Sequence, residues 1–599
     1  MNKTAPDSLA SGWLAQLVTA IDGNDWSGAT ELFGEECYWR DLVSLTWNIT
    51  TAQGREPIAK MLAQTVPQVR PMAWQVDSST VSESPGMLEF WFRFETAVGR
   101  GRGHVRLRDG KCWTMTTTLR ELKGFEEKRG PNRPLGTEHK IVRGRRSWLE
   151  QREQEAEQLG LNEQPYCLII GGGQGGLGLG ARLRQLGVPT IIVERNQRAG
   201  DSWRKRYRSL CLHDPVWYDH MPYLPFPDHW PVFSPKDKIG DWLEMYAKVM
   251  ELNYWSGTEC NSARFDEAQQ RWEVQVTREG EPVTLYPRQL VLATGMSGMP
   301  HVPEFPGRES FRGKQCHSSA FTSGADWEGK RCVVVGSNNS AHDICADLWE
   351  HGAQVTMLQR SSTMVARTGT LMDLGWGRLF SEQALARGID TETADLMMVT
   401  SPYAILPQVQ QSMVTEMKRR DAAFYKRLTD VGFMLDFGDD GTGLALKYLR
   451  RGSGYYIDTG ASELICDGRI GLRSGVQIER ITEDAVVLDD GSRIECDLII
   501  YATGFGSMNG WAAKMISQEV ADRVGKCWGL GSDTSLDPGP WEGELRNMWK
   551  PTRQPALWFH GGNLQQSRSY SLYLALQLKA RMEGLETPVY GLPQVHHLS

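Results

Sequence analysis

Two glycine-rich segments each follow a short apolar run and precede a helical pattern. In the first, the apolar run 166–170 leads into residues 171–176, whose spacing fits GxGxxG. The first glycine permits a tight turn, the second lets backbone N–H groups approach a pyrophosphate, and the third lets the helix pack closely on the strand. The pattern predicts a dinucleotide site built on Gly171, Gly173 and Gly176.

The next predicted strand, 190–193, ends in an acidic residue, Glu194. A carboxylate at that place accepts hydrogen bonds from the ribose hydroxyls of a bound dinucleotide. The order of strand, glycine turn, helix and acid favours this interpretation over a glycine-rich turn with a purely structural role.

A second nucleotide-type turn begins at Gly336, after the predicted strand 331–335. Asn338 takes the place of the middle glycine, and the predicted site continues through Asn339 and Ser340 into a helix. The positive end of such a helix suits a phosphate group. We therefore predict a second dinucleotide site here.

The strand that follows the second turn, 354–358, leads into Gln359-Arg360 instead of an acid. An acid would repel a 2′-phosphate, whereas an arginine pairs with it. Arg360 thus favours NADP(H) over NAD(H), the alternative being a solvated charge at a strand end.

The segment between the two turns, 311–321, matches FxGxxxHxxx(F/Y), with His317 at the histidine position. Because of this motif, the chain resembles the class B flavin-dependent monooxygenases, and the resemblance covers residues 164–583. Phe321-Thr322 is closer to the flavin-containing monooxygenase and YUCCA branch than to typical Baeyer–Villiger enzymes. Other matching residues are Glu194, Arg195 and Trp203 of an ERxxxxGxxWR-like stretch, and the two ATG turns at 293–295 and 502–504.

The resemblance implies bound FAD, reduction by NADPH, and a C4a-hydroperoxyflavin that inserts one oxygen atom of O2 into a small organic substrate. N- or S-oxygenation and oxidation of a carbonyl or 2-oxo acid all stay open. A Baeyer–Villiger reaction and an uncoupled NADPH oxidase that releases hydrogen peroxide are the alternatives. A disulfide reductase would need a redox-active cysteine pair, and the sequence has no CxxC.

The resemblance also implies roles for particular residues. His317 lies in the hinge against NADP, and Thr503 and Gly504 belong to the second ATG turn. His213 takes the place of an asparagine that faces the flavin in animal-type members, and a structural histidine is the alternative. Gln565 precedes a predicted helix that starts near residue 567, whose positive end suits the reduced flavin.

The first 125 residues lie outside this resemblance. Helical patterns over 8–34 and after Gly54 precede four predicted strands, 72–82, 86–97, 103–109 and 111–121. This order and Tyr38–Asp41 resemble the NTF2/SnoaL-like family, with a structural or homodimer-forming role favoured over a second catalytic pocket. The predicted α/β organisation is an NTF2-like domain (1–125), a linker with an exposed helix (126–163), an FAD domain (164–325 and 496–599) and an NADP domain (326–495) with a helical insert (362–465).

Composition limits the remaining function classes. The 599 residues have a net charge of −7, which argues against nucleic acid as a partner. No apolar run is long enough to span a bilayer, so we expect no membrane partner. Eleven scattered cysteines show no metal-ligand spacing and indicate reduced thiols, hence a cytoplasmic location and no metal site.

Overall fold

The computed structural model describes residues 5–136, 143–296 and 298–596. Residues 137–142, in the middle of the predicted linker, lie outside them, as do the first four residues and the last three. In the part of the chain that is described, no helix has both the length and the apolar composition that crossing a bilayer requires.

The N-terminal region consists of three helices and a seven-stranded sheet. The helices are confirmed where the sequence predicted them, but two strands precede the predicted ones, and the first predicted strand, 72–82, is divided into two short strands. Only the ladder between β1 and β7 is parallel, and the sheet order is β2-β1-β7-β6-β5-β3 with β4 on β5. In chain order the elements are α1 (Ala5–Asp22), α2 (Trp26–Glu31), β1 (Phe33–Leu42), β2 (Ile49–Gln53), α3 (Arg55–Val69), β3 (Met72–Val76), β4 (Ser82–Ser84), β5 (Met87–Glu95), β6 (Gly99–Arg108) and β7 (Lys111–Leu122).

Aromatic side chains fill the space between α1 and this sheet. The Trp13 ring lies 6.1 Å from that of Phe33 and 6.3 Å from that of Phe90, and Phe33 stacks on Trp39 at 5.8 Å. The Trp39 indole N–H donates to Thr117 Oγ1 at 3.0 Å, so even the polar edge of this ring is paired. The interior is therefore a packed core.

A helix, α4 (Trp148–Gln158), follows the undescribed linker residues, where an exposed helix was predicted. Ser147 and Glu150 form a reciprocal capping box that fixes its start.

The first dinucleotide sheet is parallel throughout, in the order β10-β9-β8-β14-β25. An antiparallel three-stranded sheet, β11-β12-β13, is inserted before β14. The elements are β8 (Cys167–Ile170), α5 (Gln174–Gln185), β9 (Thr190–Val193), α6 (Asp201–Arg204), α7 (Lys236–Val249), β10 (Tyr254–Trp255), β11 (Thr258–Asp266), β12 (Arg271–Arg278), β13 (Glu281–Leu285), β14 (Gln289–Leu292) and, much later in the chain, β25 (Leu557–Phe559).

The second sheet is also parallel, in the order β15-β24-β16-β17-β20. It takes in β15 and β24, so it begins before residue 326 and ends after residue 495, the predicted limits of this domain. Its elements are β15 (Lys314–His317), β16 (Arg331–Val335), α8 (Asn339–Glu350), β17 (Gln354–Gln359), β20 (Gly471–Ser474) and β24 (Leu498–Tyr501). A separate antiparallel sheet is inserted before β24 and consists of β21 (Ile478–Ile481), β22 (Ala485–Leu488) and β23 (Arg493–Glu495).

The segment between β17 and β20 is mainly helical, as predicted for the insert. Two short parallel strands, β18 and β19, join its ends. The elements are β18 (Met364–Arg367), α9 (Thr368–Leu374), α10 (Glu382–Ala386), α11 (Thr391–Val399), α12 (Leu406–Arg420), α13 (Ala422–Asp430), α14 (Gly443–Arg451), β19 (Tyr455–Asp458) and α15 (Ala461–Cys466).

The C-terminal segment supplies α16 (Asn509–Met515), α17 (Gln518–Val524) and a long helix, α18 (Leu564–Met582). Every residue of α18 from Leu564 to Ala580 is buried, because α5 packs on one side of it and β7 of the N-terminal sheet on another. The helix begins three residues before the predicted start, at the N-cap Asn563.

A buried ion pair fixes the N-terminal domain to the rest of the chain. Arg40 Nε and Nη2 donate to the two carboxylate oxygens of Glu544 at 2.7 and 2.8 Å, and both side chains are almost fully buried. Arg40 also donates to Val399 O at 3.0 Å and to the Tyr570 hydroxyl on α18 at 3.1 Å. The domain is thus packed against both the insert and the C-terminal helix.

Candidate functional site

The first glycine turn lies between the end of β8 and the start of α5. A Cβ on Gly171 would lie 2.4 Å from Ala293 O, and one on Gly176 would lie 2.0 Å from Gly171 O, so neither position has room for a side chain. At Gly173, by contrast, the nearest atom would be Ser202 Oγ at 3.8 Å. Gly171 N and Gly172 N donate to Val193 O and to Glu194, whereas the backbone at Gly173, where α5 begins, borders open space. This is the cradle that a pyrophosphate requires.

Glu194 follows β9 beside this turn. One of its carboxylate oxygens accepts from Gly172 N at 2.8 Å, and the other accepts from Asn196 N at 2.9 Å. The backbone therefore fixes the carboxylate at the edge of the cradle, where the free lone pairs of its oxygens can accept from ribose hydroxyls.

The neighbouring predicted residues differ in exposure. Arg195 is exposed at the strand end, whereas Trp203 is half-buried and donates its indole N–H to Gln174 Oε1 at 3.2 Å. Trp203 therefore packs against the first turn of α5.

Four side chains that follow strands of the two parallel sheets have buried polar atoms without a partner among the described residues. They are Thr294 Oγ1 after β14, both ring nitrogens of His560 after β25, the Ser567 hydroxyl and both side-chain polar atoms of Asn509. Open parallel sheets bind nucleotides beyond the carboxyl ends of their strands, and buried polar atoms are normally paired. The unpaired atoms and the open cradle together fit FAD.

The second turn has a comparable shape. A Cβ on Gly336, whose φ is +126°, would lie 2.4 Å from Ala502 O. Asn338 caps α8 without a side-chain hydrogen bond to the helix, and Asn339 accepts from Ile457 N of the insert at 2.9 Å. Ser340 lies in the first turn of α8. The start of α8 is therefore available for a phosphate and is tied to the insert at the same time.

Arg360 is exposed directly after β17 and makes no hydrogen bond or ion pair within the described ranges. An unpaired guanidinium beside a nucleotide turn fits a 2′-phosphate.

His317, at the end of β15, contacts the turn that follows the neighbouring strand β24 of the same sheet. Ser319 N donates to Nδ1 at 3.1 Å, so Nδ1 has no proton, and Nε2 donates to Gly504 O at 3.0 Å. Burial lowers the pKa of His317, although the contact with Gly504 opposes this. The ring is therefore neutral and fixed in one tautomer. Thr503, which precedes Gly504 in the same turn, donates its hydroxyl to His301 O.

His213 contacts helix α8 in its N-terminal half. Its Nε2 lies 3.2 Å from Asp343 Oδ2 on α8, and the same oxygen accepts from the Tyr207 hydroxyl at 2.7 Å. Burial lowers the pKa of His213, but the hydrogen bond and charge of Asp343 outweigh it and leave the pKa raised. Nδ1 is buried and has no partner in the described part of the chain.

The N-terminal end of α18 borders the insert. Gln565 donates to Asp395 Oδ1 at 3.0 Å, so its side chain faces α11. The next residue, Gln566, accepts from the Tyr448 hydroxyl at 2.6 Å, and that hydroxyl in turn accepts from Asn563 N at 3.2 Å. The insert is thereby held over the start of α18.

Sequence reasoning missed Asp343, Asn509 and His560. His560 had one local signal, its position before Gly561-Gly562 and the predicted C-terminal helix. Asp343 and Asn509 lie in helices and are brought to the site only by tertiary packing.

Comparisons with known proteins show what the chain is similar to. A profile of the pyridine nucleotide-disulphide oxidoreductase family matches residues 168–374. Indole-3-pyruvate monooxygenase YUCCA1 from Oryza sativa subsp. japonica is 31% identical over 345 residues, which are 57% of this chain and 77% of that protein. Probable indole-3-pyruvate monooxygenase YUCCA9 from Arabidopsis thaliana is 30% identical over 342 residues, 57% of this chain and 75% of that protein.

Among solved structures, the OTEMO complex with FAD and NADP has a TM-score of 0.51 at 17% identity, over 70% of this chain and 85% of that one. The open structure of cyclohexanone monooxygenase has a TM-score of 0.50 at 17% identity, over 70% and 88%. At this identity the likeness shows the fold. The two plant relatives are 31% and 30% identical over about three quarters of their own length. The chain therefore belongs to the flavin-containing monooxygenase family and is an NADPH-dependent flavoprotein monooxygenase that binds FAD.

Proposed function

We propose that this enzyme inserts one oxygen atom of O2 into a small organic substrate held where the two dinucleotide domains and the insert meet. The observation that carries the proposal is the pairing of an acid-ended first turn with an arginine-ended second turn, on two parallel sheets of one chain. When bound, FAD supplies hydride acceptance from NADPH and activation of O2.

The chain's own residues bind and orient the two nucleotides. The open backbone donors at Gly173 hold the FAD pyrophosphate, and Glu194 accepts from its ribose. Asn338 to Ser340 at the start of α8 receive the NADP pyrophosphate. Neutral His317 fixes the turn at Gly504 after β24, and the insert, through Tyr448, excludes water from the start of α18.

The test of this reaction compares NADPH consumed with hydrogen peroxide released and with products heavier by one oxygen atom. The substrates would be amines, sulfides, ketones and 2-oxo acids. We expect at least one class to raise the oxygenated product at the expense of peroxide. If all electrons appear as peroxide with every class, the chain is an uncoupled NADPH oxidase. A lactone or ester from a ketone would make it a Baeyer–Villiger enzyme.

Arg360→Ala should raise KM for NADPH about tenfold and leave KM for NADH unchanged, because hydrogen bonds to charged groups contribute about 1.5–3 kcal/mol. Steady-state NAD(P)H oxidation measures both constants. Arg264→Ala, which removes an exposed arginine from β11, is the matched control and should alter neither. Equal effects of Arg360→Ala on the two nucleotides would contradict a 2′-phosphate contact.

His213→Leu should raise the share of NADPH electrons that leave as hydrogen peroxide severalfold, because it removes the hydrogen-bonding nitrogens beside the start of α8. His213→Asn restores a polar side chain and should keep the share close to that of the parent enzyme. The measurement is the ratio of peroxide formed to NADPH consumed with a coupled substrate. An unchanged ratio in the leucine variant would assign His213 a structural role.

We further propose that residues 1–125 form an NTF2/SnoaL-like domain whose role is structural. The support is its helix-then-sheet order, its filled aromatic interior and its close packing on α18. The mass of the intact protein in solution tests whether it also forms a homodimer.

A further inference from the structure

The outer face of the N-terminal sheet lies opposite its aromatic core and carries a row of basic side chains. Along β6 they alternate with glycines and apolar residues that face the core. The row consists of Arg100, Arg102, His104, Arg106 and Arg108. Helix α18 packs on β7, and Thr400 O at the end of α11 accepts from Arg106 at 3.0 Å, so both helices cover part of this face. Arg93, on the neighbouring strand β5, is exposed, so the cover does not reach that far.

Three arginines come together at the edge of the covered part. Arg93 and Arg102 are directly opposite each other in the ladder between β5 and β6. The Cβ atoms of such a pair are about 5 Å apart, and like charges placed there destabilise a sheet. Burial lowers the pKa of the Arg102 guanidinium, and the charges of Arg120 on β7 and of Arg93 lower it further. The sequence therefore places like charges together where the sheet alone gains nothing from them.

Carboxylates of the protein compensate these charges only in part. The Arg102 guanidinium makes no hydrogen bond to any described residue, and its Nε is buried. The Asp77 carboxylate raises the pKa of Arg102 but lies 3.9 Å from Nη2, beyond hydrogen-bond distance. Arg93 has neither a hydrogen bond nor an ion pair in the described ranges. Arg120 pairs with Glu392 on α11, whose carboxylate is 58% exposed. Three guanidinium groups thus face two carboxylates.

Trp91 fixes the guanidinium of Arg102 in place. The guanidinium carbon lies 4.6 Å from the centre of the Trp91 ring, and the His104 ring lies 4.6 Å from the same ring. His104 is 5% exposed, and its Nδ1 is buried without a partner among the described residues. Burial lowers the pKa of His104 well below its ordinary value, so the ring is neutral. Two unpaired nitrogens therefore lie beside one indole ring, and the positive charge belongs to the arginines.

We propose that Arg93, Arg102 and Arg120 form a binding site for a small phosphate-bearing anion, on a sheet separate from both dinucleotide turns. A guanidinium that is stacked on an aromatic ring keeps its N–H groups aligned for an oxyanion. A phosphate monoester has nearly two negative charges and three acceptor oxygens, so it can accept from all three arginines at once. A carboxylate has one charge and two oxygens, so it would leave part of the site uncompensated.

Arg120 links this site to the insert. Its partner Glu392 lies in α11, and Asp395, one turn later in the same helix, pairs with Arg568 of α18. A phosphate bound at the site competes with Glu392 for Arg120. Removing the charge of Glu392 should therefore tighten phosphate binding, whereas a surface that attracts anions only through its overall charge would respond no more to this change than to any other.

The test is isothermal titration calorimetry of the full-length protein with excess FAD and saturating NADP⁺, so that both dinucleotide sites are occupied. The probes are inorganic phosphate, glucose 6-phosphate and acetate, at a mildly alkaline pH where phosphate is a dianion. We expect about one phosphate per chain and much weaker binding of acetate. Arg102→Gln and, separately, Arg93→Gln should each weaken phosphate binding about tenfold, the loss expected for a hydrogen bond between charged groups. Glu392→Gln should tighten it severalfold.

Arg108→Gln is the matched control, because it removes an arginine from the same face at the end of β6. It should leave phosphate binding unchanged. Tighter binding of glucose 6-phosphate than of inorganic phosphate assigns the site to an organic phosphate ester, and the reverse order assigns it to free phosphate. Melting temperature and flavin content show that each variant is folded, and Arg93→Gln, at an exposed position, carries the test if Arg102→Gln does not fold.

Three results would overturn the inference. They are the failure of both phosphates to bind, acetate binding as tightly as phosphate, and phosphate binding in Arg93→Gln and Arg102→Gln that matches the Arg108→Gln control. None of these results bears on the proposed function, because the titration contains no NADPH and involves no turnover.

Discussion

Gly176→Ala yields a folded protein that purifies without flavin. The added Cβ would lie 2.0 Å from Gly171 O, which is backbone and cannot rotate away. The start of α5 must therefore move off β8, and the donors that face the open space at Gly173 lose their alignment. The ratio of flavin absorbance to protein absorbance measures the effect, and we expect it to fall at least tenfold.

Gly12→Ala is the matched control for this substitution. Gly12 lies in α1, and nothing comes within 4 Å of a Cβ placed there. Alanine favours a helix over glycine by about 1 kcal/mol, so this variant should keep its flavin and be at least as stable as the parent. Normal flavin content in Gly176→Ala would contradict the assignment of the cradle.

Arg40→Met should lower the free energy of unfolding by about 3–5 kcal/mol, the usual cost of leaving one partner of a buried ion pair uncompensated. Glu544 would keep a buried charge with one hydroxyl donor, Thr51, at 2.7 Å. Because the pair lies between the N-terminal sheet and α18, the loss would also loosen the domain contact. Chemical denaturation with two probes, tryptophan fluorescence and bound-flavin fluorescence, measures stability and shows whether the domains unfold together.

The double variant Arg40→Met, Glu544→Leu removes both charges and should recover much of that loss. Arg264→Met, at a pair whose arginine is 70% exposed, is the control and should cost under about 1 kcal/mol. If Arg40→Met costs no more than this control, the ion pair does not hold the domain in place.

Sequence patterns predicted the turns and helices that depend on neighbouring residues alone. The first glycine turn was readable because strand, turn, helix and Glu194 follow one another within a short stretch, and each element requires a particular residue type. Arg360 could be predicted for the same reason, because it directly follows the strand after the second turn. The N-terminal helices were found through their apolar periodicity, and α4 through its charged, Glu- and Gln-rich composition.

Strands whose burial or pairing depends on residues far away in the sequence were not predicted. Strand β1 has buried residues on both faces from Trp39 to Leu42, so it lacks the alternation that marks a half-buried strand. Its outer face is covered by α18, more than 500 residues later in the chain. Strands β15 and β24 were missed for the same reason, because they pair with each other although most of the second sheet lies between them in the sequence.

The site shows the same division. Asp343 and Asn509 were ordinary polar residues in the sequence, and only tertiary packing brings them to the site.

The central claim is that one chain holds FAD and NADPH so that the second reduces the first. Anaerobic titration of the purified, FAD-reconstituted protein with NADPH tests it most directly. The account predicts a yellow protein whose flavin absorbance is bleached completely by one NADPH per flavin, with NADH far less effective. A protein that takes up no flavin, or whose flavin stays oxidised in excess NADPH, would contradict it.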